Sequence, residues 1–183
     1  MKAMIFAAGL GTRLKPITND KPKALVEING ISLLEITIKK LIRFGFTELI
    51  INVHHFADQI ISFIKQSSFE ADIRISDERE VLLNTGGGLK YAQWFFDDGK
   101  PFLLHNVDII TDLDLKSFYD SNLIDEAIAT LAVRDRKSSR KLLFDENELL
   151  CGWKDIKKDN LKITRESRRK NRTSFQRNSR YRS

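Results

Sequence analysis

Apolar residues along this 183-residue chain change their spacing several times, and each change marks an element. Residues 2–7 (KAMIFA) are a short apolar run ending at a glycine loop, the pattern of a strand buried on both faces. Leu34, Ile38, Leu41 and Ile42 then recur at helical spacing. They predict a helix capped by Ser32, with Glu35 completing a capping box and Gly45 ending it. Residues 47–53 read as a second buried strand, and 56–66 as a helix with Phe56, Ile60, Phe63 and Ile64 on one face. Residues 71–76 alternate as a strand, the glycines at 86–88 open a helix that runs to 96, and 101–108 is an apolar strand with a polar end. From Ala127 the period shortens: 127–133, 141–153 and 161–167 read as short strands, the middle one a hairpin around Asp145–Asn147.

Strands alternating with helices predict an α/β fold, a Rossmann-like, mostly parallel sheet flanked by helices. Short antiparallel strands follow toward the C-terminus. In such sheets ligands bind at the carboxyl ends of the strands. Three polar clusters, 8–23, 84–88 and 105–112, fall at those ends.

Composition changes this picture only at the C-terminus. The net charge of +6 suggests a polyanionic partner until its distribution is considered. Eight of the 31 Lys/Arg and one of the 25 acidic residues lie in 165–183, which leaves 23 basic against 24 acidic residues over 1–164. The body is neutral and the tail basic. That tail has only Phe175 and Tyr181 as large apolar residues, so disorder is expected there. The expected division is therefore one domain over 1–164 and a tail over 165–183. A single cysteine, Cys151, excludes an internal disulfide framework and reads as a small buried hydrophobe. No apolar run reaches the roughly 20 residues that span a bilayer, and a cytoplasmic location is expected.

Three segments carry the candidate chemistry. In 7–25 (AAGLGTRLKPITNDKPKAL), small residues let backbone N–H groups approach phosphates, and Arg13 and Lys23 add positive charge. The segment lacks the Gly-Lys-Ser/Thr of a P-loop and the third glycine of a dinucleotide fingerprint. A plain strand-to-helix turn is the alternative. In 83–92, three glycines at a helix start let backbone approach a flat ligand; a turn capped by Thr85 is the alternative. In 103–110, Asp108 ends a buried strand and suits a magnesium ligand, with turn capping as the alternative. Asp112 and Asp114 read as solvated or capping. Side chains of His54 and His55 diverge on an extended segment, so a two-histidine metal site is not expected. They read as loop packing or sugar-pocket lining, and His105 as packing beneath Asp108.

Taken together, AAGLGTRL, Pro16-Ile17-Thr18 and Pro22-Lys23-Ala24-Leu25 in this register resemble the signature of the sugar-1-phosphate nucleotidyltransferase family. The resemblance covers roughly 1–164. It implies the nucleotide-diphospho-sugar transferase type of fold and the transfer of NMP from an NTP to a sugar 1-phosphate. Pyrophosphate is released and an NDP-sugar of the kind used in cell-envelope polysaccharide is formed. It further implies that Ala7, Ala8, Gly9, Gly11, Thr12 and Arg13 wrap the phosphates, with Lys23 near the reacting groups. Asn84, Thr85, Gly86 and Gly87 would lie against the nucleoside, and Asp108 would hold Mg2+. Arg13, Lys23 and Asp108 form the implied catalytic set. Val107 stands where the family has glycine.

The family's remaining sugar-pocket strands, second metal-binding residue and closing helix are not found after Thr164. A truncated or frame-shifted product is therefore expected, with native-like sequence ending near Lys162–Glu166. Three alternatives compete: a catalytically impaired nucleotide-binding fragment, a cytidylyltransferase acting on phosphocholine, and a nucleic-acid binder using the basic tail. The last lacks aromatic interleaving.

Overall fold

A computed structural model describes residues 1–125, 127–134, 137–145, 149–163 and 173–177. The chain divides into two compact units, Met1–Lys116 and Ser117–Ser183.

The first unit is built on four strands, β1 (Lys2–Phe6), β4 (Glu48–Val53), β5 (Asp72–Asp77) and β6 (Leu103–Asn106). Two short strands, β2 (Glu27–Ile28) and β3 (Ile31–Ser32), pair as a separate antiparallel hairpin. The four main strands are all parallel, in the order β5-β4-β1-β6. Ala3, Met4 and Ile5 of β1 and Leu49, Ile50, Ile51 and Val53 of β4 are fully buried, as central strands covered on both faces require. The chain leaves β1 toward β4 and returns to the other side of β1 with β6. The gap between β1 and β6 is thus the switch point of the sheet, where such folds place their ligands.

Helix α1 (Leu33–Arg43) starts where the periodicity predicts, with Ser32 Oγ accepting from the Glu35 N–H at 3.1 Å. Gly45, at φ +83°, ends it: its N–H donates to the Ile42 carbonyl (2.8 Å) and that of Phe46 to Leu41 (3.0 Å), a Schellman closure. The capping box is not completed, because the Glu35 carboxylate pairs instead with Lys39 one turn on, at 2.6 Å. Helix α2 (Ala57–Gln66) buries Ala57 and Ile60, with Phe63 and Ile64 half-buried beside them. Helix α3 spans Asn84–Tyr91 and gives way to a tighter turn over Gln93–Phe96, so the predicted single helix over 86–96 is two pieces. β6 covers only the middle of the predicted 101–108 strand.

In the second unit, α4 (Leu115–Asp125, its first residues in the first unit) leads to β7 (Ala129–Val133). β8 (Arg140–Phe144), β9 (Leu150–Asp155) and β10 (Asn160–Ile163) form an antiparallel sheet. The Asp145 and Leu149 backbones close the predicted hairpin at 2.9 Å; its tip, 146–148, lies outside the described residues. Cys151 is half-buried, its thiol 3.4 Å from the Leu143 carbonyl. In the basic tail, Thr173–Arg177 forms a strand, β11, paired parallel with β7. The rest of 165–183 lies outside the described residues. Among the described residues no helix is long and apolar enough to cross a membrane.

Candidate functional site

Every strand of the parallel sheet ends in a polar segment at the same edge. β1 runs into Ala7–Arg13, β4 into His54 and His55, β5 into Glu78 and the glycines of α3, and β6 into Asp108.

The loop after β1 is a built structure. Gly11 sits at φ +66°, and a Cβ there would lie 3.1–3.3 Å from Thr18 and Lys23 side-chain carbons. Only glycine meets both conditions comfortably. Thr18 is buried and donates its hydroxyl to the Gly11 carbonyl at 2.9 Å, so Pro16-Ile17-Thr18 closes the loop on itself. Gly9 differs: a Cβ there would meet nothing within 4 Å, so its small size leaves open space in front of the backbone. Thr12 and Arg13 are exposed, and Arg13 has no hydrogen-bond or ion-pair partner among the described residues.

Ala7 and Ala8 are buried. Their N–H groups point into the protein and donate to Asn52 Oδ1, at 2.8 and 3.3 Å. Amides directed at a ligand would therefore come from Gly9 onward. Asn52 in turn donates through Nδ2 to Glu78 Oε1 at 2.9 Å, and both side chains are buried. Sequence reasoning missed this pair. The available signal was a lone amide in the apolar run LIINV, because a buried polar group requires partners.

Lys23 Nζ donates to Asp108 Oδ2, joining two of the three predicted catalytic residues. Asp108 is half-exposed and makes this ion pair rather than capping a turn. Beneath it, the Val107 N–H donates to the Phe6 carbonyl at 3.2 Å, and Val107 is buried where the family pattern has glycine. His105 in β6, three residues before Asp108, is buried, and its Nδ1 has no hydrogen-bond partner among the described residues. Burial pushes its pKa below the ordinary histidine value, aided by Lys40 and opposed by the Asn106 backbone and by Asp108. Burial likewise lowers Lys40, whose ammonium donates to the Thr111 carbonyl.

Asn84, Thr85 and Gly86 are exposed at the start of α3, where Asn84 takes φ +58°. No side chain caps this helix, which removes the capping reading of Thr85. Gly86 has open space where a Cβ would lie, and at Gly87 a Cβ would sit 3.0 Å from Leu83. Gly88, outside the predicted set, is the most constrained: a Cβ there would lie 2.6 Å from Glu78 Oε1. His54 Nδ1 contacts the Glu78 carbonyl at 2.7 Å while His55 packs on Phe56, so the two histidines diverge as expected.

No group of three or more His, Cys, Asp or Glu that could hold a metal occurs among the described residues. Asp108 does suit a cation bound mainly through a ligand. Oδ2 is taken by Lys23, which leaves Oδ1 of a half-exposed carboxylate beside the glycine loop. Magnesium commonly binds through one or two carboxylates, with phosphate oxygens and water completing its shell.

A parallel sheet with a glycine loop, cationic side chains and a strand-end carboxylate gathered at its switch point defines an α/β protein of the doubly wound class. Residues 2–142 match the family described as Nucleotidyl transferase, and the chain belongs to that family. It is 41% identical over 111 residues to the N-acetylmuramate alpha-1-phosphate uridylyltransferase of Caulobacter vibrioides, covering 59% of this chain and 46% of that protein. With the mannose-1-phosphate guanylyltransferase catalytic subunit beta of Dictyostelium discoideum it shares 34% identity over 126 residues, 67% of this chain and 35% of that one. The chain thus spans less than half the length of these curated relatives. Among solved structures, HddC from Yersinia pseudotuberculosis complexed with GMP-PN superposes with a TM-score of 0.71 at 30% identity, over 84% of this chain and 68% of that chain.

Proposed function

We propose that this chain binds an NTP at the β1–β6 switch point and, with a sugar 1-phosphate as acceptor, transfers NMP to form an NDP-sugar and pyrophosphate. The observation that carries the reading is the Lys23–Asp108 pair, which brings the cationic end of the glycine loop against the strand-end carboxylate. The relatives named above are uridylyl- and guanylyltransferases, and a related structure is complexed with GMP-PN, which supports an NTP as ligand.

In the proposed reaction, an oxygen of the sugar phosphate forms a bond to the α-phosphorus of the NTP, and the bond to the pyrophosphate leaving group breaks in line. The nucleophile is already an anion, so no protein base is needed. Arg13, exposed at the loop tip, binds the phosphate chain. Lys23 stabilises the charge that builds on the reacting phosphate oxygens. Gly9 lets backbone approach the phosphates, and Asn84, Thr85, Gly86 and Gly87 lie against the nucleoside. Asp108 would hold Mg2+, which neutralises phosphate charge when bound. A cytoplasmic location and the supply of cell-envelope polysaccharide belong to the same proposal.

The test is a screen of the four NTPs against mannose, N-acetylmuramic acid and heptose 1-phosphates, with pyrophosphate release as readout and NTP binding measured alongside. Release with one NTP–acceptor pair supports transfer. Binding without release supports a nucleotide-binding fragment, and the absence of both signals overturns the proposal.

A further inference from the structure

The loop after β1 is held by a side chain that itself needs holding. Two adjacent backbone amides, of Ala7 and Ala8, converge on one atom, Asn52 Oδ1. Two donors require an oxygen there; a flipped Asn52 would oppose them with its own NH2. Glu78 decides the orientation. Its Oε1 accepts from Nδ2 of Asn52 at 2.9 Å and so leaves Oδ1 for the loop. Asn52 and Glu78 are 2% and 3% exposed, so water does not substitute for either partner. The space they occupy is bounded by Gly88, where a Cβ would lie 2.6 Å from Glu78 Oε1 and 3.0 Å from Asn52 Nδ2.

We propose that Asn52 is the positioning residue of the nucleotide loop, with Glu78 as the group that fixes its orientation and Gly88 as the clearance both require. Turning the Ala7 and Ala8 amides inward sets the direction in which Gly9 to Arg13 leave the sheet. The couple thereby links the segment proposed to take the phosphates to the helix start proposed to take the nucleoside. Neither side chain touches the ligand; both act through backbone. The inference rests on the nucleotide reading above for its effect on affinity, and on geometry alone for its effect on the loop.

The experiment uses the full chain, with Asn52→Leu and Asn52→Asp compared with wild type. Amide hydrogen exchange at Ala7 and Ala8 is measured without nucleotide. Affinity is measured for each of the four NTPs with Mg2+, after circular dichroism confirms that the variants fold. Asn52→Leu is expected to speed exchange at both alanines at least tenfold and to weaken NTP binding at least tenfold. Asn52→Asp keeps the acceptor but sets a second carboxyl against Glu78. Its affinity should be low at high pH and recover toward wild type as pH falls, because two carboxylates sharing one site cannot both stay ionised and the protonated new carboxyl can donate to Glu78. Asn52→Leu should show no such recovery. His54, Asp77 and Arg79, the titratable neighbours at this edge, are unchanged in every variant, so comparison with wild type at each pH removes their effect.

Unchanged exchange with NTP affinity within twofold of wild type in Asn52→Leu would overturn the proposal. An Asn52→Asp variant that follows Asn52→Leu at every pH would remove Glu78 from it. If wild type binds none of the NTPs while Asn52→Leu still speeds exchange at Ala7 and Ala8, the nucleotide reading falls and the loop-holding role stands.

Discussion

The Lys23 ammonium donates to Asp108 Oδ2, tying the loop after β1 to the turn after β6 across 85 residues of sequence. Neither group is deeply buried, and such pairs contribute little to stability, about 0–1 kcal/mol. The pair's importance lies in where it holds charge, at the edge where the sheet changes direction.

Lys23→Met should therefore leave the urea midpoint nearly unchanged while weakening NTP binding. Hydrogen bonds to charged groups contribute about 1.5–3 kcal/mol, which corresponds to roughly 10- to 100-fold in affinity. Asp108→Asn should act differently, abolishing the Mg2+ dependence of binding with a smaller effect on metal-free affinity. Titrations with and without Mg2+ check both. Unaltered affinity and Mg2+ dependence in these variants would remove the pair from the site.

The glycines of α3 should separate by role. Gly88→Ala forces a Cβ to 2.6 Å from Glu78 Oε1 in a buried site and should destabilise by about 1–3 kcal/mol. Gly86→Ala meets open space and removes a helix-weakening glycine, a gain of about 0.5–1 kcal/mol. Yet it should lower NTP affinity, because that open space is where the nucleoside is proposed to lie. Chemical denaturation and nucleotide titration of both variants test this. A Gly86→Ala variant with full affinity would move the nucleoside elsewhere.

The core of this fold was legible because its signals are local. Buried parallel strands read as apolar runs, as Ala3–Ile5 and Leu49–Ile51 do, and α1 announced both its ends through Ser32 and Gly45. What was not legible depends on non-local partners. Glu35 had the spacing for a capping box, but Lys39 one turn away offers its carboxylate a full charge. The small size of Ala7 and Ala8 suggested amides open to phosphate; nothing within 7–25 discloses that Asn52 takes them. Gly88 likewise looked like one glycine of three until Glu78 defined the space beside it.

Ser32 and Glu35 give a direct check of that correction. Ser32→Ala removes the cap on the Glu35 N–H and should cost about 1 kcal/mol. Glu35→Ala loses only an exposed i,i+4 pair with Lys39, about 0.2–0.5 kcal/mol. Equal and coupled losses in urea denaturation of the single and double variants would restore the reciprocal box.

Stability should fall in mild acid, and His105 should account for an identifiable part of the fall. Burial lowers its pKa in the folded chain, while the unfolded chain titrates near the ordinary value of about 6.5. Between the folded pKa and about 6.5 the unfolded state therefore holds more protons, so stability rises with pH through that window. The stability is fully present above about pH 6.5 and is lost as pH falls through the folded value. The slope is bounded by about 1.4 kcal/mol per pH unit for one group. Asp77 and Asp98, whose pKa values are lowered by hydrogen bonds from Arg79 and Lys2, act below the ordinary carboxylate range and so outside this window. His105→Asn removes the titrating group, and its unfolding free energy should be flatter than wild type between pH 5 and 6.5. Denaturation curves at half-unit pH intervals measure the difference. Parallel profiles for the two proteins would mean that His105 is charged as readily in the folded chain as in the unfolded one.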